Sequence, residues 1–367
     1  MILSVLFYSF VVFTAIQIIY YFVFSSFLFD SKKDKKKTKE IPISVIVCAK
    51  NEAVNLNNFL PSILDQEYAD FEVVLINDAS SDETLEVMES FQKKHNNIKI
   101  VNVENIEAFW GNKKYALTLG IKAAKNENLL FTDADCKPVS SKWIYDMSQN
   151  FNANKTIVLG YGKYKKEKSL INLFVRFETL LTAIQYFSYA KIGSPYMAVG
   201  RNLAYNRSEF FNVKGFINHM HIKSGDDDLF IQDAANKENT TIATSKDSFT
   251  ESLAPTSFIE WYRQKRRHIS TADHYKFKHK FFLGLFFISK VFFFLLAILL
   301  FFFYPWQLIL PIFLTYYLVQ FIVIGFSAKK LNEPTITYLL PFLEIGLLIF
   351  HFSIFITNLA LKPNHWK

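Results

Sequence analysis

The chain has 367 residues, enough for one large domain with membrane segments or for two modest soluble domains. Its 40 phenylalanines crowd toward the two ends, whereas residues 41 to 270 have the composition of an ordinary soluble domain. The net charge of +8 fits a nucleic acid, an anionic membrane or an anionic substrate. No basic and aromatic nucleic-acid module is visible, and two cysteines, Cys48 and Cys136, make neither a disulfide framework nor a zinc site.

The first segment, residues 1 to 29, carries no charged side chain and is long enough to cross roughly 30 Å of hydrocarbon. It lacks the basic start and the small-residue cleavage site of a signal peptide, so we predict a transmembrane helix. Residues 30 to 40 are rich in lysine and form a predicted basic juxtamembrane linker beside anionic lipid headgroups. By the positive-inside rule, the domain that follows is expected on the cytoplasmic side.

The middle of the chain, residues 41 to 270, alternates between predicted strands and helices. Short β-branched apolar runs are typical of buried parallel strands, and the segments between them are predicted helices, with Ser81 as one N-cap. This order indicates an α/β domain with a doubly wound sheet, whose ligands bind at the carboxyl ends of its strands. The predicted strands are 43–48, 71–76, 98–103 and 129–132, and the predicted helices are 55–65, 81–95 and 112–124.

An apolar and aromatic stretch, Lys168 to Tyr189, interrupts the soluble composition of this region. Its apolar positions recur at helical spacing, which fits either a helix in the membrane interface or a core helix. We favour the interfacial helix because predicted transmembrane segments lie on both sides of the domain.

The last third of the chain, residues 281 to 360, is membrane-like and is predicted to form three transmembrane helices. Three ionisable residues lie in or near them. We expect Lys290 to reach outward from a helix end, and Glu344 and His351 to pair with polar groups inside the bundle. A transporter would need more such groups, so we expect the chemistry to lie in the middle of the chain. The predicted spans are 286–303, 307–326 and 336–359.

Acidic residues follow three of the predicted strands: Glu52 the first, Asp78 the second, and Asp133 and Asp135 the fourth. Because the carboxyl ends of parallel strands meet at one edge, these carboxylates are expected to converge, and a cation or hydrogen-bond donors must offset their repulsion. Two carboxylates separated by one residue on a turn can share Mg²⁺ or Mn²⁺ with phosphate oxygens. Asp133 and Asp135 are therefore predicted to hold a metal ion and a diphosphate.

Residues 41 to 270 resemble the family 2 glycosyltransferases, beginning with the strand Pro42 to Cys48 and the turn Ala49-Lys50-Asn51-Glu52. The resemblance implies a GT-A fold, a nucleotide-diphospho-sugar transferase domain with a Rossmann-like, mostly parallel sheet, here flanked by transmembrane helices. It also implies that Ala49, Asn51, Glu52 and Asp78 hold the base and ribose of a nucleotide-sugar donor.

Two further segments resemble motifs of this family. Gly111-Asn112-Lys113-Lys114 resembles its G-K-x-x-A-L segment, which implies that Lys113 or Lys114 faces the diphosphate; a solvated helix start is the alternative. The segment Gly200 to Tyr205 resembles the G-x-N-x-A segment near the acceptor and donor sugar, which implies substrate contacts for Gly200 and Asn202. Ordinary turn chemistry would also explain these two residues.

The last two motifs concern the base and the membrane surface. Ser224-Gly225-Asp226-Asp227-Asp228 resembles the E-D or G-D-D motif that supplies the catalytic base, which is Asp226 or Asp227 depending on the alignment; we favour Asp227. Gln264 to His268 resembles the Q-x-x-R-W motif, with His268 replacing tryptophan. This implies that Gln264, Arg266 and Arg267 lie near the donor diphosphate; a basic juxtamembrane patch is the alternative.

The resemblance implies an inverting glycosyltransferase that moves a hexosyl-type sugar from a nucleotide sugar, with UDP expected as the nucleotide. The expected acceptor is lipid-linked or a polysaccharide, at the cytoplasmic face of a membrane that the charge pattern fits to a bacterial inner membrane. The alternative is a non-catalytic scaffold that binds nucleotide sugar in polysaccharide biosynthesis. The complete set of carboxylates argues against the scaffold, and nucleic acid is not an expected partner.

Overall fold

The computed structural model describes residues 1–29, 40–104, 113–222 and 224–360. The lysines of the predicted linker, at positions 30–39, and Gly111 and Asn112 of the predicted lysine motif therefore lie outside the described residues. The chain begins with helix α1 (Ile2–Phe24), which is followed by a 3₁₀ turn at Ser26–Phe29. This helix is uncharged and packs along helices of the C-terminal third.

A seven-stranded sheet forms the centre of the middle region, and a three-stranded sheet lies beside it. In the larger sheet the order is β3-β2-β1-β4-β8-β6-β9, and β1 pairs in parallel with both β2 and β4. Strand β8 runs antiparallel to β4 and β6, so the sheet is mixed but mostly parallel, as expected. The strands are β1 (Ile43–Ala49), β2 (Phe71–Asp78), β3 (Ile98–Val103), β4 (Asn128–Asp133), β5 (Cys136–Pro138), β6 (Ile157–Leu159), β7 (Gly162–Tyr164), β8 (Leu203–Asn206), β9 (Thr240–Ile242) and β10 (Thr250–Ser252).

Helices connect these strands and cover both faces of the sheet. The predicted N-cap at Ser81 is wrong: the helix begins at Thr84, where the side chain of Asp82 accepts a hydrogen bond from the Thr84 backbone N–H at 3.1 Å. The helices of the middle region are α2 (Ala53–Leu64), α3 (Thr84–Gln92), α4 (Lys113–Ala123), α5 (Trp143–Ser148), α6 (Leu170–Lys191), α7 (Arg207–Asn212), α8 (Asp228–Ala234) and α9 (Phe258–Ser270).

Helix α6 is the aromatic stretch for which sequence left two interpretations. The Ser169 side chain caps it by accepting from the Asn172 backbone N–H at 3.1 Å. The helix packs against β7 and β9 on one side and against α1 on another, so Phe177 and Phe187 have no exposed surface. The structure thus favours the core helix, placed between the sheet and the apolar helices, over a helix with an open apolar face.

Three apolar helices follow: α10 (Phe277–Phe303), α11 (Trp306–Lys330) and α12 (Leu340–Ala360), the last preceded by a 3₁₀ turn at Pro334–Leu339. With α1 they make four helical segments that are long and apolar enough to cross a membrane. The prediction that Lys290 reaches out from a helix end is wrong. Its Nζ lies 2.8 Å from Oε1 of Glu344 inside the bundle, where Tyr316 also donates to that carboxylate.

Candidate active site

A cavity of about 820 Å³ opens at the carboxyl ends of β1, β2 and β4, where a parallel sheet is expected to bind ligands. Its volume is in the range of small-molecule and cofactor sites. Most of the predicted site residues meet in it, although they come from distant parts of the sequence. Those that line it are Asn51, Glu52, Asp78, Lys113, Asp133, Asp135, Gly200, Asp226, Asp227, Gln264 and Arg267.

The turns after β1 and β2 hold each other in place at one end of the cavity. Asn51 adopts φ of 57°, a left-handed conformation that asparagine tolerates better than most residues. Its side-chain oxygen accepts from the Ser81 backbone N–H at 2.8 Å, and Ser80 Oγ accepts from the Asn51 backbone N–H at 3.0 Å. These two hydrogen bonds hold together the turns that follow β1 and β2, where Glu52 and Asp78 lie at neighbouring strand ends. Burial raises the pKa of both carboxyls.

Lys113 joins the second and third parts of the site. Its Nζ lies 2.8 Å from Oδ1 of Asp133 and 3.1 Å from Oδ2 of Asp226. Burial alone would lower the pKa of Lys113, but Asp133 and Asp226 outweigh it and hold that pKa well above its usual value. The ammonium group is therefore positively charged and placed among carboxylates, where it can meet a phosphate.

Lys114 points elsewhere and is not among the residues that line the cavity. Its Nζ donates to the carbonyl oxygens of His219 at 2.8 Å and Ile222 at 3.0 Å, and burial lowers its pKa to about 8. Of the two lysines that sequence left open, Lys113 faces the carboxylates and Lys114 ties α4 to the segment before α8. Consecutive helical residues point in directions about 100° apart, which explains why the two neighbouring lysines have different partners.

Asp133, Asp135 and Cys136 bring their side-chain ligand atoms within 4.8 Å of one another. Burial, and then the charge of Asp133, raise the pKa of Asp135, so two close carboxylates share a site that favours a cation. Burial also keeps the pKa of the Cys136 thiol well above its usual value, and its Sγ donates to Oδ1 of Asp135 at 3.3 Å. The protonated thiol is not a metal ligand, so the two carboxylates supply the donors, and oxygen ligands of this kind fit a hard divalent cation such as Mg²⁺ or Mn²⁺.

Three consecutive aspartates have three different environments. Asp226 faces Lys113; burial opposes ionisation, but the lysine prevails and lowers the pKa of Asp226. Asp227 caps α8, accepting from the backbone N–H groups of Gly200 at 2.7 Å and Asp228 at 2.8 Å. Burial, then Asp226 and Asp228, raise the pKa of Asp227 to about 8.

Asp228 has a structural role that sequence reasoning did not assign. Its Oδ2 accepts hydrogen bonds from Thr271 Oγ1 at 2.5 Å and Tyr275 OH at 2.6 Å, and its Oδ1 accepts from the Leu229 backbone N–H at 2.8 Å. This buried carboxylate therefore ties the start of α8 to the segment after α9. Only the fold brings these partners together.

Three other predicted substrate-binding residues are also not among those that line the cavity. Ala49 is buried within β1. Asn202 is buried, donates to the carbonyls of Tyr161 at 2.9 Å and Ser248 at 2.8 Å, and so joins two loops. Arg266 donates through Nε to the side chain of Asn358 at 2.8 Å and links α9 to α12. Direct substrate contact is thus not supported for Ala49, Lys114, Asn202 and Arg266, whose contacts are internal to the protein.

Arg201 lines the cavity although the sequence assigned it no role. Its guanidinium donates to the carbonyl oxygen of Gly162 at 2.7 Å and lies 4.4 Å from the ring centre of Tyr164. Burial and Asp133 raise the pKa of Asp135, and the positive charge of Arg201 offsets part of that rise. The sequence feature that could have identified Arg201 is its position between two motif residues, Gly200 and Asn202.

The far half of the cavity is formed by α6, α9, α10 and α12. Lys265 and Glu178 form an ion pair there, with Nζ and Oε2 2.6 Å apart. Gln264, Arg267 and His268 line the same region, and burial holds the pKa of His268 well below its usual value. The Q-x-x-R-like segment thus bridges the carboxylate half and the apolar helices.

Comparisons with known proteins fit this arrangement. The family profile "Glycosyl transferase family 2" matches residues 44–222. Poly-beta-1,6-N-acetyl-D-glucosamine synthase of Staphylococcus epidermidis is 32% identical over 131 residues, which is 35% of this chain and 30% of that protein. Uncharacterized glycosyltransferase EpsJ of Bacillus subtilis is 29% identical over 124 residues, 34% of each chain. The match covers about a third of the length of these curated relatives.

A solved structure shares the fold over nearly the whole chain. Mannosyltransferase PcManGT from Pyrobaculum calidifontis, solved in complex with GDP-Man and Mn²⁺, aligns with a TM-score of 0.59 and 18% identity. The alignment covers 96% of this chain and 99% of that one, which shows a common fold including the apolar helices. Residues 44–222 match the family 2 glycosyltransferases, and the fold is that of a GT-A domain joined to four long apolar helices that could cross a membrane.

Proposed function

We propose that the protein transfers a sugar from a nucleotide sugar to an acceptor at a membrane surface by a single inverting displacement. The observation that carries this proposal is the cluster of Lys113, Asp133, Asp135 and Asp226 in one cavity at the strand ends. It combines a cation for phosphate, a carboxylate pair for a metal ion and a separate carboxylate for a proton.

The donor would lie along the carboxyl edge of the sheet. Asn51, Glu52 and Asp78 surround the end of the cavity where the base and ribose would bind, with uridine expected. The diphosphate would lie beside Lys113, and Asp133 and Asp135 would hold Mg²⁺ or Mn²⁺. Such an ion, when bound, supplies positive charge to the departing nucleoside diphosphate. Gln264 and Arg267 line the same cavity from α9, and the guanidinium of Arg267 can pair with phosphate.

The base is one of two neighbouring aspartates, and their environments favour Asp226 over the Asp227 expected from sequence. A base must be ionised before it accepts a proton, and the pKa of Asp226 is lowered whereas that of Asp227 is about 8. Asp226 also lies beside Lys113, next to the diphosphate position. As the acceptor oxygen bonds to the anomeric carbon, its proton passes to Asp226 and the bond to the diphosphate breaks.

The membrane orientation is part of the same proposal. The lysine-rich segment after α1 supports a cytoplasmic catalytic domain by the positive-inside rule. The poly-N-acetylglucosamine synthases and other bacterial glycosyltransferases among the relatives support a bacterial inner membrane. The acceptor would then be a lipid or a glycan that reaches the cytoplasmic face.

The test is release of nucleoside diphosphate by detergent-purified protein given a panel of nucleotide sugars, Mg²⁺ or Mn²⁺, and a membrane-lipid extract. We expect release with one donor, dependent on metal, lost in Asp135→Ala but retained in Asp70→Asn, which changes an exposed carboxylate outside the cavity. With an acceptor that attacks through a hydroxyl, release should also be lost in Asp226→Asn. Loss in Asp227→Asn with full activity in Asp226→Asn would move the base by one residue. Metal-dependent nucleotide binding without release from any donor would support the scaffold instead.

A further inference from the structure

The cavity continues past the carboxylates into a space between two apolar helices. Leu283, Phe286, Phe287 and Lys290 line it from α10, and Glu344, Leu347, Leu348, His351 and Phe355 line it from α12. The spacing of three, four and seven residues means that one face of each helix forms the wall. The catalytic cavity therefore has a polar half at the sheet and an apolar half among the helices.

The apolar half opens at the surface of the helices. Phe355 lines the cavity and is also 52% exposed, so the wall reaches the outer face of α12 there. Lys290 and Glu344 also line this space, and they form an ion pair with each other. This apolar wall connects the reaction centre to the outer surface of α12. It suits a hydrocarbon chain, whereas a water-soluble sugar acceptor would gain nothing from it.

Polar groups mark the junction between the two halves. Glu178 Oε2 and Lys265 Nζ lie 2.6 Å apart, and Arg267 and Asp226 line the same cavity. A molecule with its chain against Leu347 and Phe287 would place its head at this junction, beside the proposed base. Resting on the proposed function, we propose that the acceptor is a membrane lipid whose chain lies between α10 and α12 and whose head presents the attacking oxygen.

The sugar can be transferred to a lipid headgroup that carries either a hydroxyl or a phosphate. A hydroxyl head bonds to the anomeric carbon, gives its proton to Asp226 and expels the nucleoside diphosphate. A phosphate head is already ionised at neutral pH, so its oxygen attacks without a proton transfer to Asp226. The two sources of acceptor therefore differ in their response to Asp226→Asn.

The test uses substitutions that narrow the apolar half of the cavity and leave the carboxylates unchanged. Leu348→Trp and Phe287→Trp add bulk inside the space, whereas Ile349→Trp and Ile288→Trp add the same bulk at positions that are 65% and 51% exposed on the outer faces of the same helices. Each variant would be given donor with diacylglycerol in phosphatidylcholine vesicles, with a polyprenyl phosphate, or with a water-soluble oligosaccharide. Affinity for the nucleoside diphosphate checks that each variant is folded.

We expect transfer to one lipid and a rise of at least tenfold in KM for that lipid in both inner variants but in neither outer variant. Transfer to diacylglycerol should be lost in Asp226→Asn, and transfer to the polyprenyl phosphate should survive it. Equal KM values in inner and outer variants, or transfer to the oligosaccharide alone, would overturn the lipid proposal. If wild-type protein releases no nucleoside diphosphate under any condition, the proposed function fails instead.

A separate observation concerns how α12 sits relative to the membrane. Phe342 near its start packs against Phe174 of α6, Phe350 stacks on Trp261 of α9 at 3.8 Å, and Asn358 near its end bonds Arg266 of α9. The helix thus touches the catalytic domain along its whole length. By contrast, Phe7 near the start of α1 stacks at 5.1 Å on Tyr304, just after the end of α10. That pair marks the opposite end of the bundle.

Charge and polarity agree with these contacts. Glu344, His351 and Asn358 recur every seven residues and form a polar stripe on one face of α12, while Ile345, Ile349 and Phe352 are exposed on others. The tail after α12 carries Lys362 and Lys367, which the positive-inside rule places with the domain. We infer that α12 lies in the leaflet next to the catalytic domain and that only α1, α10 and α11 cross the membrane.

Labelling of single introduced cysteines with a membrane-impermeant maleimide in intact cells tests this topology. Ser90→Cys reports the domain side and Gln307→Cys reports the link between α10 and α11. We expect Asn364→Cys in the tail to react only after permeabilisation, as Ser90→Cys does, while Gln307→Cys reacts in intact cells. Reaction of Asn364→Cys in intact cells, together with Gln307→Cys, would show that α12 crosses the membrane.

Discussion

Two of the lysines that pair with carboxylates, Lys113 and Lys290, differ in a way that separates chemistry from structure. Lys113 faces Asp133 and Asp226, and the side chains of these three residues are 27%, 35% and 15% exposed, respectively. Lys290 faces Glu344 alone, with 8% and 2% exposure. The first group has more carboxylates than cations and is open to the cavity, so it can take up a further cation and a phosphate. The second is balanced and closed, so it holds helices together.

The largest expected effect is on the open group. Asp135→Ala removes half of the proposed metal site, and we expect metal-dependent release of nucleoside diphosphate to fall by about 1,000-fold, because several kcal/mol of leaving-group stabilisation are lost. Release would be measured with saturating donor across a titration of Mn²⁺. Activity that remains above a tenth of wild type would show that the open group does not work through a metal ion.

The closed group should respond in stability instead. Lys290→Met leaves Glu344 buried without its partner, and we expect a loss of about 3–5 kcal/mol in the free energy of unfolding. The double variant Lys290→Met/Glu344→Leu should recover most of that loss because it removes both charges. Thermal unfolding in detergent measures both. Equal stability of the single and double variants would mean that the unpaired charge of Glu344 is not the cause of the loss.

A change at Lys113 sharpens the comparison because Lys114 provides a matched control. Lys113→Met removes the cation that faces the diphosphate, and we expect turnover to fall by about 10- to 100-fold with little loss of stability. Lys114→Met leaves two carbonyl oxygens without their donor, so we expect a loss of about 1–3 kcal/mol in stability instead. Paired measurement of kcat and Tm separates the two, and a swapped pattern would contradict the assignment of Lys113.

A further prediction concerns the pH dependence of stability. Burial raises the pKa of Asp227 to about 8, so the folded state favours its neutral form. The stability that this contributes is full below its unfolded pKa near 4 and is lost as pH rises toward 8. The wild type should therefore lose stability between about pH 4 and pH 8 relative to Asp227→Asn, measured as Tm without added metal. Parallel Tm curves would show that Asp227 is ionised throughout.

Local sequence was sufficient for the elements that carry the donor site. The strands at 43–49 and 71–78 follow from β-branched apolar runs, because burial on both faces favours such residues. The strands at 98–103 and 128–133 follow from short apolar runs between predicted helices. The carboxylates at their ends follow as well, since parallel strands end on one edge. Motif spacing also identified Lys113, Asp133, Asp135, Asp226 and Asp227, all of which line the cavity.

Side-chain direction and long-range contacts could not be predicted from the sequence. Neighbouring residues in one motif face opposite ways, so Lys113 lines the cavity while Lys114 bonds two backbone carbonyls. The partners of Lys290 and Asp228 come from segments more than 40 positions away in sequence. Hydropathy determined that α12 is long and apolar, but only its packing on α6 and α9 decided where it lies, because burial against protein and burial in lipid favour the same residues.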